Sequence, residues 1–167
     1  LDFPLREIRL QDSHVALVDD EDYPLVSEYS WTAVRIQYTW YARANGSGVG
    51  NRPYMHSVIT GFKLVDHQNR NGLDNQKHNL RKATKQQNAA NAKIRTNNQS
   101  GFKGVYFNSA KQKFDAKVTV LLDGKIRQRK TSRKTALEAA VAYDELAKHY
   151  FGEYALTKEM LGLLEGR

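Results

Sequence analysis

Asp66 and His67 stand side by side in "LVDHQNRNGLDNQKHNLRKATKQQNAANAK" (64–93), with Asn79 and Asn88 further along the same stretch. A histidine near neutrality is a natural proton acceptor, because its unperturbed pKa of about 6.5 leaves it mostly neutral at pH 7. A carboxylate and an amide oxygen are hard donors. With waters and phosphate oxygens they suit Mg²⁺ or Mn²⁺ and suit zinc poorly. A proton acceptor beside an oxygen-ligated divalent cation is the equipment for hydrolysing a phosphodiester. Arg70, Lys77, Arg81 and Lys82 surround the pair in sequence and could hold backbone phosphates.

These residues need elements to carry them. "KLVDH" reads as a short strand, "QNRNGLDNQKHN" as a polar, turn-rich excursion, "LRKAT" as a second short strand, and the Ala-rich run after Thr84 as a helix. Asp66 then ends a strand and Asn88 lies in the helix's first turn. A strand packed on that helix would bring both to one cation. Upstream, "HVALVD" and "YTWYARA" read as strands. "DYPLVSEYS" reads as a short helix with Asp22 as cap and Pro24 in its first turn, "ANGSGVGN" (44–51) as a hairpin loop, and "PYMHSVITG" as a helix ending at Gly61.

The pattern Asp66-His67, eleven residues, Asn79, eight residues, Asn88 resembles the HNH nuclease motif, in the form found in phage and intron-encoded homing endonucleases. The wording "VDH…NGLDN…NLR…T…QNAAN" carries the resemblance. It implies a ββα-metal unit, His67 as general base, Asp66 and Asn88 as ligands of Mg²⁺ (or Mn²⁺), and Asn79 bracing the loop as part of the catalytic set. It further implies a site-specific endonuclease acting on double-stranded DNA and nicking one strand per visit. A monomer in the cytoplasm of a host cell of a phage or mobile element follows from the same resemblance.

The C-terminal third has the clearest periodicity. "KFDAKVTVLL" alternates, Asp123-Gly124 marks a hairpin turn, "KIRQRK" follows, and "TALEAAVAYDELAKHYFG" is a helix with a capping box at Thr135/Glu138. Three strands and one helix pack as two layers. The outward face of this sheet is expected to carry Tyr106, Asn108, Lys117, Thr119, Arg127 and Arg129. "SGFKGV" (100–105), "KFDAKV" and "TALEAAVAYD" are similar to the APETALA/ethylene-response-factor DNA-binding domain. That likeness implies a sheet laid in the major groove, with Lys103 joining those six residues at DNA. It departs from the family where Tyr106 and Asn108 replace arginines and Arg129 replaces a tryptophan.

The expected class is α+β. An HNH domain occupies 1–93, with a β-rich lead-in and its metal core at 62–93. A linker covers 94–101, an APETALA-like domain 102–157, and a tail 158–167. The formal charge of +8 is lopsided: residues 1–91 hold 11 Lys/Arg against 10 Asp/Glu, and 92–167 hold 15 against 8. Such asymmetry points to a polyanion partner. Cysteine is absent, which excludes disulfides and Cys-ligated zinc. No apolar run is long enough to span a membrane, and no protein partner is evident. His56 and His78 read as packing or surface histidines, with phosphate or metal contact as the alternative. His14 and His149 read as structural. The rival reading is a DNA-binding regulator in which the HNH unit is only a scaffold.

Overall fold

Alternating side chains make the first hairpin, in which β1 (Leu5–Arg9) pairs antiparallel with β2 (Val15–Asp19). A 3₁₀ turn at Asp20–Asp22 leads into α1 (Tyr23–Ser27), which has Pro24 in its first turn. β3 (Trp31–Ile36) and β4 (Thr39–Ala44) form a second antiparallel hairpin, and α2 (Met55–Thr60) stops at Gly61. The chain then runs through β5 (Val65–His67), a long polar loop, β6 (Leu80–Lys82) and α3 (Lys85–Asn91). β7 (Val105–Asn108), β8 (Lys113–Leu122), β9 (Lys125–Arg133) and α4 (Ala136–Phe151) follow. The computed structural model describes residues 4–46 and 52–157. Most of the expected 44–51 loop and the 158–167 tail therefore lie outside the described residues. β1 and β3 are additional to the strands expected from the sequence. The class is α+β with small antiparallel sheets. Among the described residues no helix is long and apolar enough to cross a membrane.

Contacts divide the chain into two units, Leu1–Thr84 and Lys85–Arg167. The first is held by a small core. β2 turns Ala16 and Val18 inward, β3 Trp31 and Ala33, β4 Ala42 and Ala44; α1 adds Val26 and α2 adds Met55. The two-residue period of the strands selects these positions. The Trp31 indole N–H donates to the Val26 carbonyl at 2.8 Å, so the largest ring in this core leaves no polar atom unsatisfied.

In the second unit, β7, β8 and β9 form one antiparallel sheet in that order. Val105, Ala116, Val118 and Val120 face Ala139, Ala140, Tyr143 and Ala147 of α4 in a shared core. Thr135 caps α4: its hydroxyl accepts from the Glu138 N–H at 3.2 Å, and the Glu138 carboxylate accepts from the Thr135 N–H at 3.1 Å. Residues 94–101, expected as a linker, belong to this unit and form hydrogen-bonded turns. The Ser100 hydroxyl lies 2.8 Å from the Val105 carbonyl, and Asn98 accepts from the Gly101 N–H at 2.8 Å. α3 also packs within this unit, where the Ala90 carbonyl accepts from Leu156 N–H at 3.2 Å.

The sheet's register corrects one expectation. The turn at Asp123 and Gly124 has φ of 49° and 69°, the left-handed pair that a two-residue hairpin demands. It places Lys125 opposite Leu122, Arg127 opposite Val120 and Arg129 opposite Val118. Residues directly opposite share a face, so Arg127 and Arg129 stand on the helix side of the sheet and not on its open face. The Arg129 Nε–H reaches the Tyr150 hydroxyl of α4 at 3.2 Å, on that same side. The open face carries Tyr106, Asn108, Lys117 and Thr119 as expected, joined by Asp115, Gln128, Lys130 and Ser132.

Gly104 has φ of 65°, and a Cβ there would meet the Tyr143 ring at 2.0 and 2.2 Å. Backbone conformation and close approach to the core both require glycine. Gly104→Ala is expected to destabilise the second unit by about 2–4 kcal/mol, read as a lower midpoint in urea unfolding followed by circular dichroism.

Candidate active site

The loop between β5 and β6 explains its own asparagines. The Asn69 side chain accepts from the Asn71 N–H at 2.8 Å and donates to Asp74 at 2.6 Å. Asn71 accepts from the Leu73 N–H at 3.2 Å. Asn79 spans the loop: its amide donates to the Asp74 carbonyl at 2.7 Å and accepts from the Asn69 N–H at 2.9 Å. Side-chain amides thus satisfy backbone groups that a regular element would pair. The loop is also fastened to β2. Leu17 donates to the Leu73 carbonyl at 2.8 Å and accepts from the Asn75 N–H at 2.7 Å. The Asp19 carboxylate accepts from the Lys77 N–H at 2.8 Å and from the Gln76 amide at 3.1 Å.

Asp66 and His67 end β5, both buried. Asp66 lies directly opposite Arg81 on β6. The Arg81 Nε and Nη2 both donate to its Oδ2 at 2.8 Å. His67 sits among rings. Tyr41 lies edge-on at 5.6 Å between centroids and His56 at 5.2 Å, while His56 itself stacks on Tyr54 at 5.3 Å. The His67 Nε2 lies 3.4 Å from the Asn75 Oδ1. Asn75 is fully buried and its Nδ2 donates to the Leu73 carbonyl at 3.2 Å, so the oxygen is the atom turned toward the imidazole. An acceptor at that place assigns the proton to Nε2 and makes Nδ1 the basic nitrogen.

Burial pushes the His67 imidazole below its ordinary value; the Asn75 amide, then the Asp66 and Asp74 carboxylates, pull it part of the way back. The ring is therefore held neutral, the form that accepts a proton. Burial, with neighbouring His67 adding to it, pushes His56 down to about 3. Asp66 supplies one hard oxygen donor beside His67. Among the described residues no three of His, Cys, Asp and Glu converge. A single carboxylate would need water and phosphate oxygens to complete the shell of a hard divalent ion.

The structure brings Asp66, His67, Asn79 and Arg81 into the first unit's site, with Arg70 in the turn after β5, where its N–H donates to the His67 carbonyl at 2.8 Å. Arg81 is drawn into the Asp66 pair, and Lys82 stands exposed with its ammonium over the Phe62 ring at 5.5 Å. Asn88 lies on α3 in the second unit. Lys103 does not stand on the sheet: its ammonium donates to the carbonyls of Ala89, Ala90 and Ala92 at the end of α3. Asn75, Tyr41 and His56 touch His67 and were not placed there from the sequence. The signal for Asn75 was its presence in "NGLDN"; the rings come from distant segments and gave none.

The chain is 29% identical over 145 residues, 84% of its own length and 72% of the relative's, to an uncharacterized HNH endonuclease of Acanthamoeba polyphaga mimivirus. No protein-family model matches. No solved structure matches either.

His56 is nearly neutral in the folded chain down to about pH 3, whereas in the unfolded chain it takes a proton near 6.5. Between those values the unfolded state binds more protons, so its contribution to stability is present above about pH 6.5 and is lost as pH falls. His56→Phe should flatten the loss of melting temperature between pH 6.5 and pH 4, measured by thermal denaturation across that range.

Proposed function

We propose that the chain is an HNH-type endonuclease that hydrolyses phosphodiesters in double-stranded DNA. The observation that carries the reading is a buried imidazole oriented by Asn75 and next in sequence to a buried carboxylate. The similarity to an HNH endonuclease supports the same class. In this reading His67 Nδ1 takes the proton from the attacking water while Nε2–H stays on Asn75. Asn75 and the edge-on rings of Tyr41 and His56 fix the plane of the imidazole. Asn79 closes the loop that holds Asn75. Asp66 is the carboxylate ligand of Mg²⁺ or Mn²⁺; the assignment of Asn88 as a second ligand, like that of Asn79 to the catalytic set, rests on motif spacing. A divalent cation there would withdraw charge from the phosphate and the departing oxygen. One centre per chain favours a nick in one strand per binding event, as in homing nucleases.

Duplex binding is proposed for the second unit, where residues 85–167 hold 16 Lys/Arg against 8 Asp/Glu and residues 1–84 hold 10 of each. The open sheet face offers Lys117, Lys130, Thr119, Gln128 and Tyr106. The Lys117 ammonium sits 5.4 Å from the Tyr106 ring centre, which joins charge to a flat apolar surface. Asn108 also faces out, but its amide donates to buried Asp115 at 2.8 Å. That face supports a role like the one the APETALA resemblance implies. Arg127 and Arg129 remain exposed on the edge strand and are proposed as phosphate contacts.

His67→Ala should lower nicking of supercoiled plasmid in Mg²⁺ by roughly 10²–10⁴-fold while leaving duplex affinity unchanged. EDTA should abolish nicking by the unaltered chain. Cleavage that survives the substitution removes His67 from the chemistry, and cleavage that survives EDTA removes the cation. Lys117→Ala and Lys130→Ala should each reduce the salt slope of duplex binding by about 1. Fluorescence anisotropy across a salt series measures this, and an unchanged slope in both places the duplex elsewhere.

A further inference from the structure

We propose that Arg81 is the resident counter-ion of Asp66, and that it makes the free protein a poor binder of the divalent cation until a phosphodiester arrives. The inference rests on the reading of Asp66 as a cation ligand. Asp66 and Arg81 are exact cross-strand partners in β5 and β6, so the pairing follows from the backbone register and not from a chance side-chain rotamer. Both guanidinium donors converge on one oxygen, Oδ2, at 2.8 Å. The side chains are only 13% and 7% exposed. A carboxylate buried to that degree would be strongly unfavourable without a partner charge. Arg81 supplies that charge in the free chain and holds the carboxylate aimed.

The same contact has a cost for cation binding. A divalent ion approaching Asp66 meets a fixed positive charge already on the carboxylate. It can draw on Oδ2 only by displacing two charge-assisted hydrogen bonds. The Asp66–Arg81 pair carries no net charge, so the paired carboxylate attracts the ion less than an unpaired one would. A phosphodiester brings the missing negative charge, and its oxygens complete the coordination. Cation and DNA are then bound together. Arg81 acts through Asp66 and is a positioning residue.

The test is Mn²⁺ binding by the 167-residue chain without DNA, read as loss of the free-ion electron paramagnetic resonance signal. The unaltered chain, Arg81→Gln, Asp66→Asn and the double variant are compared, each with a thermal melt. Arg81→Gln should bind Mn²⁺ at least tenfold more tightly than the unaltered chain, the double variant should lose that gain, and Mn²⁺ should raise the melting temperature of Arg81→Gln alone. If Arg81→Gln is unfolded without cation, folding on addition of Mn²⁺ supports the proposal, and failure to fold at any Mn²⁺ concentration overturns it. Equal or weaker affinity in folded Arg81→Gln, with Asp66→Asn weakening the unaltered chain, overturns the role of Arg81 and leaves Asp66 as ligand. If Asp66→Asn changes binding in neither background, the ligand reading itself fails and the proposal falls with it.

Discussion

The attachment of a polar loop to the edge of β2 is the constraint on which the candidate site depends. Two backbone hydrogen bonds on Leu17 and two acceptor contacts from Asp19 hold residues 73–77 in place. That attachment sets Asn75, and Asn75 sets the tautomer and plane of His67. The loop has few apolar side chains to anchor it, so its position comes from paired polar groups in a water-poor place, where each bond counts for more and each loss costs more. The site's precision is thus inherited from a hairpin that contributes no chemistry of its own.

How much of this was legible in the sequence varies with the range of the interaction. Local signals were read directly: the Thr135/Glu138 box, the stop at Gly61, the strand–loop–strand–helix order over 65–91. That Asp66, His67 and Asn79 belong to one strand-and-loop segment was also readable, because their spacing is short and their residue types are unusual together. Arg127 and Arg129 show that alternation alone does not choose a face. Their alternation was correct, but the face they occupy is decided by counting outward from Asp123-Gly124, which pairs them with inward-facing valines. The ring contacts on His67 were beyond reach, since Tyr41 and His56 arrive from a strand and a helix whose packing no local pattern announces.

Division of labour by charge runs through the molecule. The unit carrying Asp66 and His67 is formally neutral over 1–84, while the excess of basic residues lies wholly in 85–167. Under the proposed reading, a neutral site would avoid gripping phosphates indiscriminately, and long-range attraction would be left to the basic unit. Buried Asp115 shows that the basic unit also contains compensation. It accepts from Asn108 and Ser132 and lies 3.6 Å from the Lys130 ammonium, and its carboxyl is held down at about 2, first by Asn108 and then by Ser132.

Among the described residues β9 pairs with β8 along one side only, and nine residues of backbone line its other rim. A bare rim of that length would ordinarily recruit strands from neighbouring molecules. Lys125, Arg127, Arg129, Lys130 and Arg133 stud it, so two copies meeting rim to rim would repel before their amides could join. The same cationic character that the proposed duplex binding would use also guards this strand against self-association.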